Sequence, residues 1–184
     1  MENEIGQTPE KKSKKMLWVI VGIIILLLLG WLIARGTGFL GRQAAEKAIE
    51  EASGGKADVN LGNDGSTEVK TDEGTVSTAN KLPDNWPSDV PAYPNAKIEL
   101  SGSSNANENR DEGIAVIFIT DDSAQKTADY FKQELKNQQW TIETTADVGG
   151  SQVLSAKKDD REFGLSAMTA EGQTRITVAI TKKK

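Results

Sequence analysis

The stretch from Met16 to Ala34, MLWVIVGIIILLLLGWLIA, contains no charged residue and constrains the chain more than any other feature. Its nineteen residues, at about 1.5 Å each, make a helix of roughly 28 Å, close to the ~30 Å hydrocarbon thickness of a bilayer. Thirteen of the residues between Leu17 and Ile33 are Leu, Ile or Val, an upper-bound insertion free energy of about 4 to 8 kcal/mol in favour. Trp18 and Trp31 lie near the two ends, where an indole keeps its ring among the headgroups and its N–H wet. A cleaved signal peptide has a shorter apolar region followed by a small-x-small site, which Leu32, Ile33, Ala34, Arg35 and Gly36 do not supply. The absence of cysteine removes lipid modification at a thiol. A single transmembrane helix is therefore expected. Lys11, Lys12, Lys14 and Lys15 crowd its amino-terminal flank against Arg35, Arg42 and Lys47 beyond it, which predicts a cytoplasmic amino terminus and an exported carboxy-terminal part.

Charge and residue types then exclude several functions. Residues 34–184 carry 18 basic and 24 acidic residues, a net charge of −6. Nucleic-acid binding draws on clustered Lys and Arg, so neither nucleic acid nor an anionic lipid surface suits this part. Zero histidine and zero cysteine exclude Ser-His-Asp and Cys-His catalysis, ordinary zinc sites and a disulfide framework.

The chain divides into four regions. Residues 1–15 form a cytoplasmic tail without apolar periodicity, and 16–34 the span. Residues 35–81 are a juxtamembrane spacer with a short helix over Gln43 to Ala52 and weak strands around Val59, Leu61, Val69 and Val76. Four large apolar side chains are too few for a core, which leaves two readings of 57–79: edge strands of the main domain, or a loose stalk. Residues 82–184 form the extracytoplasmic domain. It opens on Pro83, Pro87, Pro91 and Pro94, which predict an extended segment outside any ladder, with Trp86 and Tyr93 pinning it down. Strands are expected next at Lys97 to Ser101 and Gly113 to Thr120. Asp122 is expected to cap a helix, with Gln125 completing a capping box. The helix stripe Ala124, Ala128, Phe131, Leu135 predicts packing on a sheet. Four more strands are expected at Trp140 to Thr145, Gln152 to Lys157, Glu162 to Met168 and Thr174 to Thr181. The fold class expected is α+β: after the transmembrane helix, one helix on a mostly antiparallel sheet in the order ββαββββ.

The segment LPDNWPSDVPAYPNAKI, the strand GIAVIFITDDS, the helix ADYFKQELKNQQW and the strand TIETT resemble a group of uncharacterised bacterial membrane-anchored exported domains. These carry an LPxDFPxDVPxYPGA-like pattern and a later FYKxxLxxxGW-like helix. The resemblance spans roughly Ala44 to Lys182. Trp86 stands where the group has Phe, Asn95 where it has Gly, and Gln139 where Gly precedes the Trp. The resemblance implies an anchor and a fold, and no chemistry.

No catalytic, cofactor-binding or metal residue is expected. Asn105, Asn107, Asn109 and Asp111 alternate like a calcium loop, but Arg110 and Val116 occupy the places of its Gly and Glu. Asp121 with Asp122 could pair as acid and base, yet a helix start already explains them. Asp159 with Asp160 reads as a turn. Gly30, Ala34 and Gly38, with Gly22 on the same face, repeat at steps that let helices approach closely, so self-association is a candidate property. The partners expected are the bilayer, through Met16 to Ala34, and a protein, envelope polymer or small ligand. The function expected is a membrane-anchored, non-catalytic interaction domain outside the cytoplasm. The alternatives are an assembly subunit of a membrane complex and a carboxylate-dependent envelope enzyme.

Overall fold

The computed structural model describes residues 46–47, 50–51, 55–106 and 111–183. Nine strands form one sheet: β1 (Ala57–Leu61), β2 (Thr67–Thr71), β3 (Gly74–Ser77), β4 (Lys97–Ser104), β5 (Glu112–Thr120), β6 (Thr141–Val148), β7 (Ser151–Lys158), β8 (Arg161–Ala170) and β9 (Gln173–Lys182). Helix α1 (Ala124–Asn137) joins β5 to β6. The spatial order is β1-β2-β3-β4-β5-β9-β8-β7-β6, and every neighbouring pair is antiparallel.

This corrects the expected fold class. The chain retains α+β character, but a nine-stranded sheet replaces the six-strand ββαββββ arrangement, because β1, β2 and β3 continue the ladder outward from β4. Of the two readings of 57–79, edge strands are the one found. No helix among the described residues is long and apolar enough to cross a membrane. Met16 to Ala34, together with Gly22, Gly30 and Gly38, lies outside those residues.

Helix α1 covers the carboxy-terminal half of the sheet. Its buried stripe is Ala124, Thr127, Ala128, Phe131 and Leu135, the i, i+3, i+4 spacing that puts one helix face on a core. Phe118, Phe131, Phe163, Leu135 and Trp140 fill the space between helix and strands. The cap differs from expectation by one residue: Ser123 holds the cap position, and its Oγ accepts from Lys126 N at 3.2 Å. Asp122 stands just outside the helix. A second tie fixes the start, as Ala124 N donates to Thr169 Oγ1 at 3.2 Å and Thr169 lies 2.7 Å from Thr174 across the β8–β9 pair.

The helix ends in a Schellman motif. Gln139 N donates to Lys136 O at 3.0 Å and Trp140 N to Leu135 O at 2.9 Å, while Gln139 takes φ +65°. Asn95 likewise takes φ +57°. Both positions at which this chain lacks the glycine of the resembling group are thus left-handed. Asn tolerates that conformation, whereas Gln bears a steric cost at its Cβ.

The sheet does not bury the same face along its whole width. Crossing it at one level, the residues on the α1 side are Glu68, Ser77, Ser101, Val116, Val178, Leu165 and Leu154. At the next level they are Lys70, Thr75, Ser103, Ile114, Ile180, Phe163 and Ala156. Both rows are polar on β2–β4 and apolar on β5–β9. On the reverse side Val59, Val69 and Val76 lead to Gly102, Ala115, Ala179 and Gly164. Val59 and Leu61 are buried in a second small cluster with Ala57 and Val69. Glu46, a helical residue, lies beside this edge, where its Oε1 accepts from Leu61 N at 2.7 Å. The apolar side therefore changes hands at β3–β4.

Gly74 makes the β2–β3 hairpin possible. It sits at φ +152°, and a Cβ there would lie 2.0 Å from Ser103 O. Gly74→Ala should cost about 2 to 4 kcal/mol in chemical denaturation. Gly164→Ala, where a Cβ meets nothing within 4 Å, should be neutral or stabilise by up to ~1 kcal/mol. At the helix end, Gln139→Gly should raise stability by about 0.5 to 1 kcal/mol, against little change for Asn95→Gly.

Candidate functional site

Residues 82–96 leave the sheet after β3 and arch over its α1 face, outside every ladder. Trp86 meets Phe118 edge-on at 6.3 Å and donates its Nε1–H to Val90 O at 2.9 Å. Tyr93 stacks on Phe131 at 6.0 Å and meets Tyr130 edge-on at 5.1 Å. Its hydroxyl donates to Asp122 at 2.8 Å, while the Tyr130 hydroxyl donates to Ala92 O at 3.1 Å. The two aromatic residues expected to pin the segment do so, each giving its polar end to a protein partner.

Asp89 ties the arch to the far half of the domain. Arg161 donates to both of its oxygens at 2.7 Å, and Lys158 Nζ reaches it at 2.7 Å. Lys158 also donates to Gln138 O at 2.8 Å, just past the end of α1. Arg161 lies 5.0 Å from the centre of the Trp140 ring, whose Nε1–H donates to Asp89 O at 3.1 Å. The Arg161 guanidinium holds the Asp89 carboxyl well below the usual carboxylate range, against the opposing cost of burial and with further help from Lys158. Asp159 and Asp160 form the β7–β8 turn expected of them, with Asp159 at φ +54°.

Among the clefts that open beside the arch, two bear on function. The first, of about 190 Å³, lies where the polar halves of the sheet rows emerge from under it. Thr75, Ser77, Ser101 and Ser103 form its floor, and Lys81, Pro83, Asp84 and Asn85 wall it from the arch side. Lys81 Nζ stands 2.5 Å from Glu68, whose other oxygen takes Lys70 at 3.0 Å. Lys81 first and Lys70 second hold the Glu68 carboxyl below its ordinary pKa. Ser101 is 2% exposed, and its hydroxyl has no hydrogen-bond partner among the described residues. Of these residues sequence reasoning singled out Pro83 alone, and as part of the extended segment rather than of a site. The one available signal was the run of short polar side chains on β3 and β4 facing the same side as buried valines further along the sheet.

The second cleft, about 580 Å³, contains the expected pair Asp121 and Asp122 with Tyr93, Lys97, Lys126 and Tyr130. Asp122 is ion-paired to Lys126 at 2.6 Å, and that contact, followed by the Tyr93 hydroxyl, lowers its pKa. Burial, with the Asp122 carboxylate adding, pushes the Tyr93 phenol up. The two carboxyls thus differ in role: Asp122 anchors the arch and the helix start, and Asp121 is exposed. Of the calcium-like residues, Asn107 and Asn109 lie outside the described residues. Asn105 is engaged by the β2–β3 turn, donating from its backbone to Glu73 O at 2.9 Å and from its side chain to Asp72 O at 3.0 Å. Among the described residues no group of acidic side chains is placed to hold a metal ion.

The Asp89 tie carries a pH dependence. Its folded pKa is depressed, so its contribution is complete above the unfolded value of about 3.9 and is lost as pH falls below that toward the folded value. Asp89→Asn should cost about 2 to 3 kcal/mol at pH 7, less than the ~3–5 of a fully buried pair. The gap between wild type and variant in urea unfolding should narrow below about pH 4.

A family model described as START domain-like matches residues 100–181. That range takes in most of β4, then β5, α1 and β6 to β9, and leaves out β1–β3 and the proline-rich arch that carries the LPxDFPxDVPxYPGA-like pattern. No curated protein and no solved structure matches the chain. The part resembling a START-like domain is therefore the half of the sheet that α1 covers, and the polar cleft sits on the seam between that half and the added strands.

Proposed function

We propose that this chain is a membrane-anchored binding module that displays its α+β domain outside the cytoplasm and holds a ligand without transforming it. The observation that carries the reading is how the domain uses its charges. Asp89, Arg161 and Lys158 clamp the arch. Asp122 and Tyr93 secure its other end. In the polar cleft the Lys81 ammonium is engaged by Glu68 at 2.5 Å rather than by a serine hydroxyl, and Lys81 and Lys70 together hold that carboxylate below its ordinary pKa, which makes it a weak base toward the floor hydroxyls. The START domain-like match supports a self-contained domain. Anchoring rests on the apolar sequence Met16 to Ala34, orientation on Lys11, Lys12, Lys14 and Lys15, and a role for Gly30, Ala34 and Gly38 in helix self-association on their spacing.

Expressed in bacteria, the full chain should fractionate with membranes, and deleting residues 1–45 should move residues 46–184 to the soluble fraction. Protease added to intact spheroplasts should remove the domain from the full-length protein. Membrane retention after the deletion, or full protection from protease, would overturn the anchor or its orientation respectively.

A further inference from the structure

We propose that the cleft between β2–β4 and residues 81–85, where the chain enters the arch, binds one neutral polyhydroxyl unit, a sugar ring, either free or as a residue of a polysaccharide. The inference rests on the reading of this chain as a binding module and supplies its ligand class.

The floor comes first. Glu68, Ser77 and Ser101 face one another across three strands at one level, and Thr75 and Ser103 at the next. Hydroxyls in these positions have no place in a sheet face that elsewhere builds a core from Val, Ile, Leu and Phe. A buried hydroxyl left without a partner costs about 1 to 3 kcal/mol, and Ser101 is in that position at 2% exposure while lining the cleft. Ser77 Oγ accepts from Ala79 N at 3.2 Å, so its own proton is available to donate. The floor therefore presents groups able both to donate and to accept, which is the pattern a sugar hydroxyl matches in either sense.

Charge narrows the ligand. The cations are Lys81 and Lys70, and both are held by Glu68, while Asp84 adds a second carboxylate to the wall. The lining holds one cation, Lys81, against the carboxylates of Glu68 and Asp84, and Lys70, just outside the lining, balances the count through its pair with Glu68. An anion would have to displace Glu68 from its lysines, and a cation would meet the same lysines. A neutral polar molecule faces neither cost.

Size and rigidity fit one ring. A volume of 190 Å³ equals about six waters at ~30 Å³ each, the bulk of a hexose rather than of a disaccharide. The walls are preset. Trp86 N donates to Pro83 O at 3.0 Å and Asn85 Nδ2 to Glu112 at 3.3 Å, while Asn105 is fixed to the β2–β3 turn. A binder whose walls are already ordered loses less entropy on binding. Pro83 places apolar surface beside the hydroxyls, which suits the C–H face of a ring.

The test is amide NMR and calorimetry on the full chain in a detergent without a sugar headgroup. The probes are glucose, N-acetylglucosamine and their linear oligomers, with sodium phosphate and sodium malonate as anionic probes. At least one sugar should shift the amides of Ser77, Ser101 and Gly102, and the anions should not. Ser101→Ala and the exposed wall change Asn85→Ala should each weaken that binding at least tenfold while leaving the dispersed amide spectrum intact. Tighter binding of oligomers than of monomers would assign the ring to a polymer, and equal binding to a free sugar. Absence of shifts at these residues with every sugar, or shifts with phosphate or malonate alone, would overturn the proposal. Fractionation and protease results are independent of this outcome, so the anchored-module reading fails or stands separately. Conversion of a bound sugar to product would refute the non-catalytic reading while keeping the cleft.

Discussion

The carboxylate of Asp89 is the point on which the domain's two coverings meet. Helix α1 can rest on β6–β9 by its apolar stripe alone. The proline-rich arch has no ladder of its own and only a few rings with which to hold a core face dry. Asp89 converts that weak contact into a fixed one by reaching Arg161 at the start of β8 and Lys158 at the end of β7. Because Lys158 also takes Gln138 O and Trp140 donates to Asp89 O, the arch, the helix end and the β7–β8 hairpin are locked by one cluster. With the arch fixed, Trp86 is held against Phe118, and Pro83 to Asn85 stand as a wall over the hydroxyl floor.

Much of the carboxy-terminal half was legible because its signals were local. The alternation of Ile176, Val178 and Ile180, the double-sided apolar run of β5 and the stripe of α1 each reflect one periodicity. The misplaced cap illustrates the limit of such reading: Asp122 and Ser123 are equally good capping residues, and the Asp122 oxygens are instead engaged by Lys126 and by Tyr93, 29 positions away. The amino-terminal strands were harder to assign. Val59 and Leu61 alternate within β1, but Val69 and Val76 stand alone in their strands, and Val59, Val69 and Val76 face the side opposite to Val116 and Val178, so no shared core could be read from them. The polar cleft was invisible for the same reason. Ser77, Ser101 and Ser103 look like ordinary strand and loop residues until register sets them side by side.

The two glycine positions that this chain fills with Asn95 and Gln139 show how little a local departure disturbs a fold that is held elsewhere. Both residues adopt the left-handed backbone that glycine would take. At Gln139 the Schellman hydrogen bonds and the burial of Trp140 outweigh the cost of a Cβ in that conformation. The START domain-like match and the exported-domain resemblance are reconciled by the same division: the first covers the helix-bearing half, and the second adds the arch that completes it.

The reversal of apolar sides at β3–β4 also decides how the domain would bear a pull. Tension arriving from the amino-terminal side enters at β1, the outermost strand, whose second cluster is separate from the main core. The β1–β2 ladder and the Glu46 contact to Leu61 would yield first, peeling from an edge, while the sheet under α1 and the arch kept its shape. The added strands would act as a mechanical fuse, and the cleft lined by β2 to β4 would register the strain once β1 had peeled away.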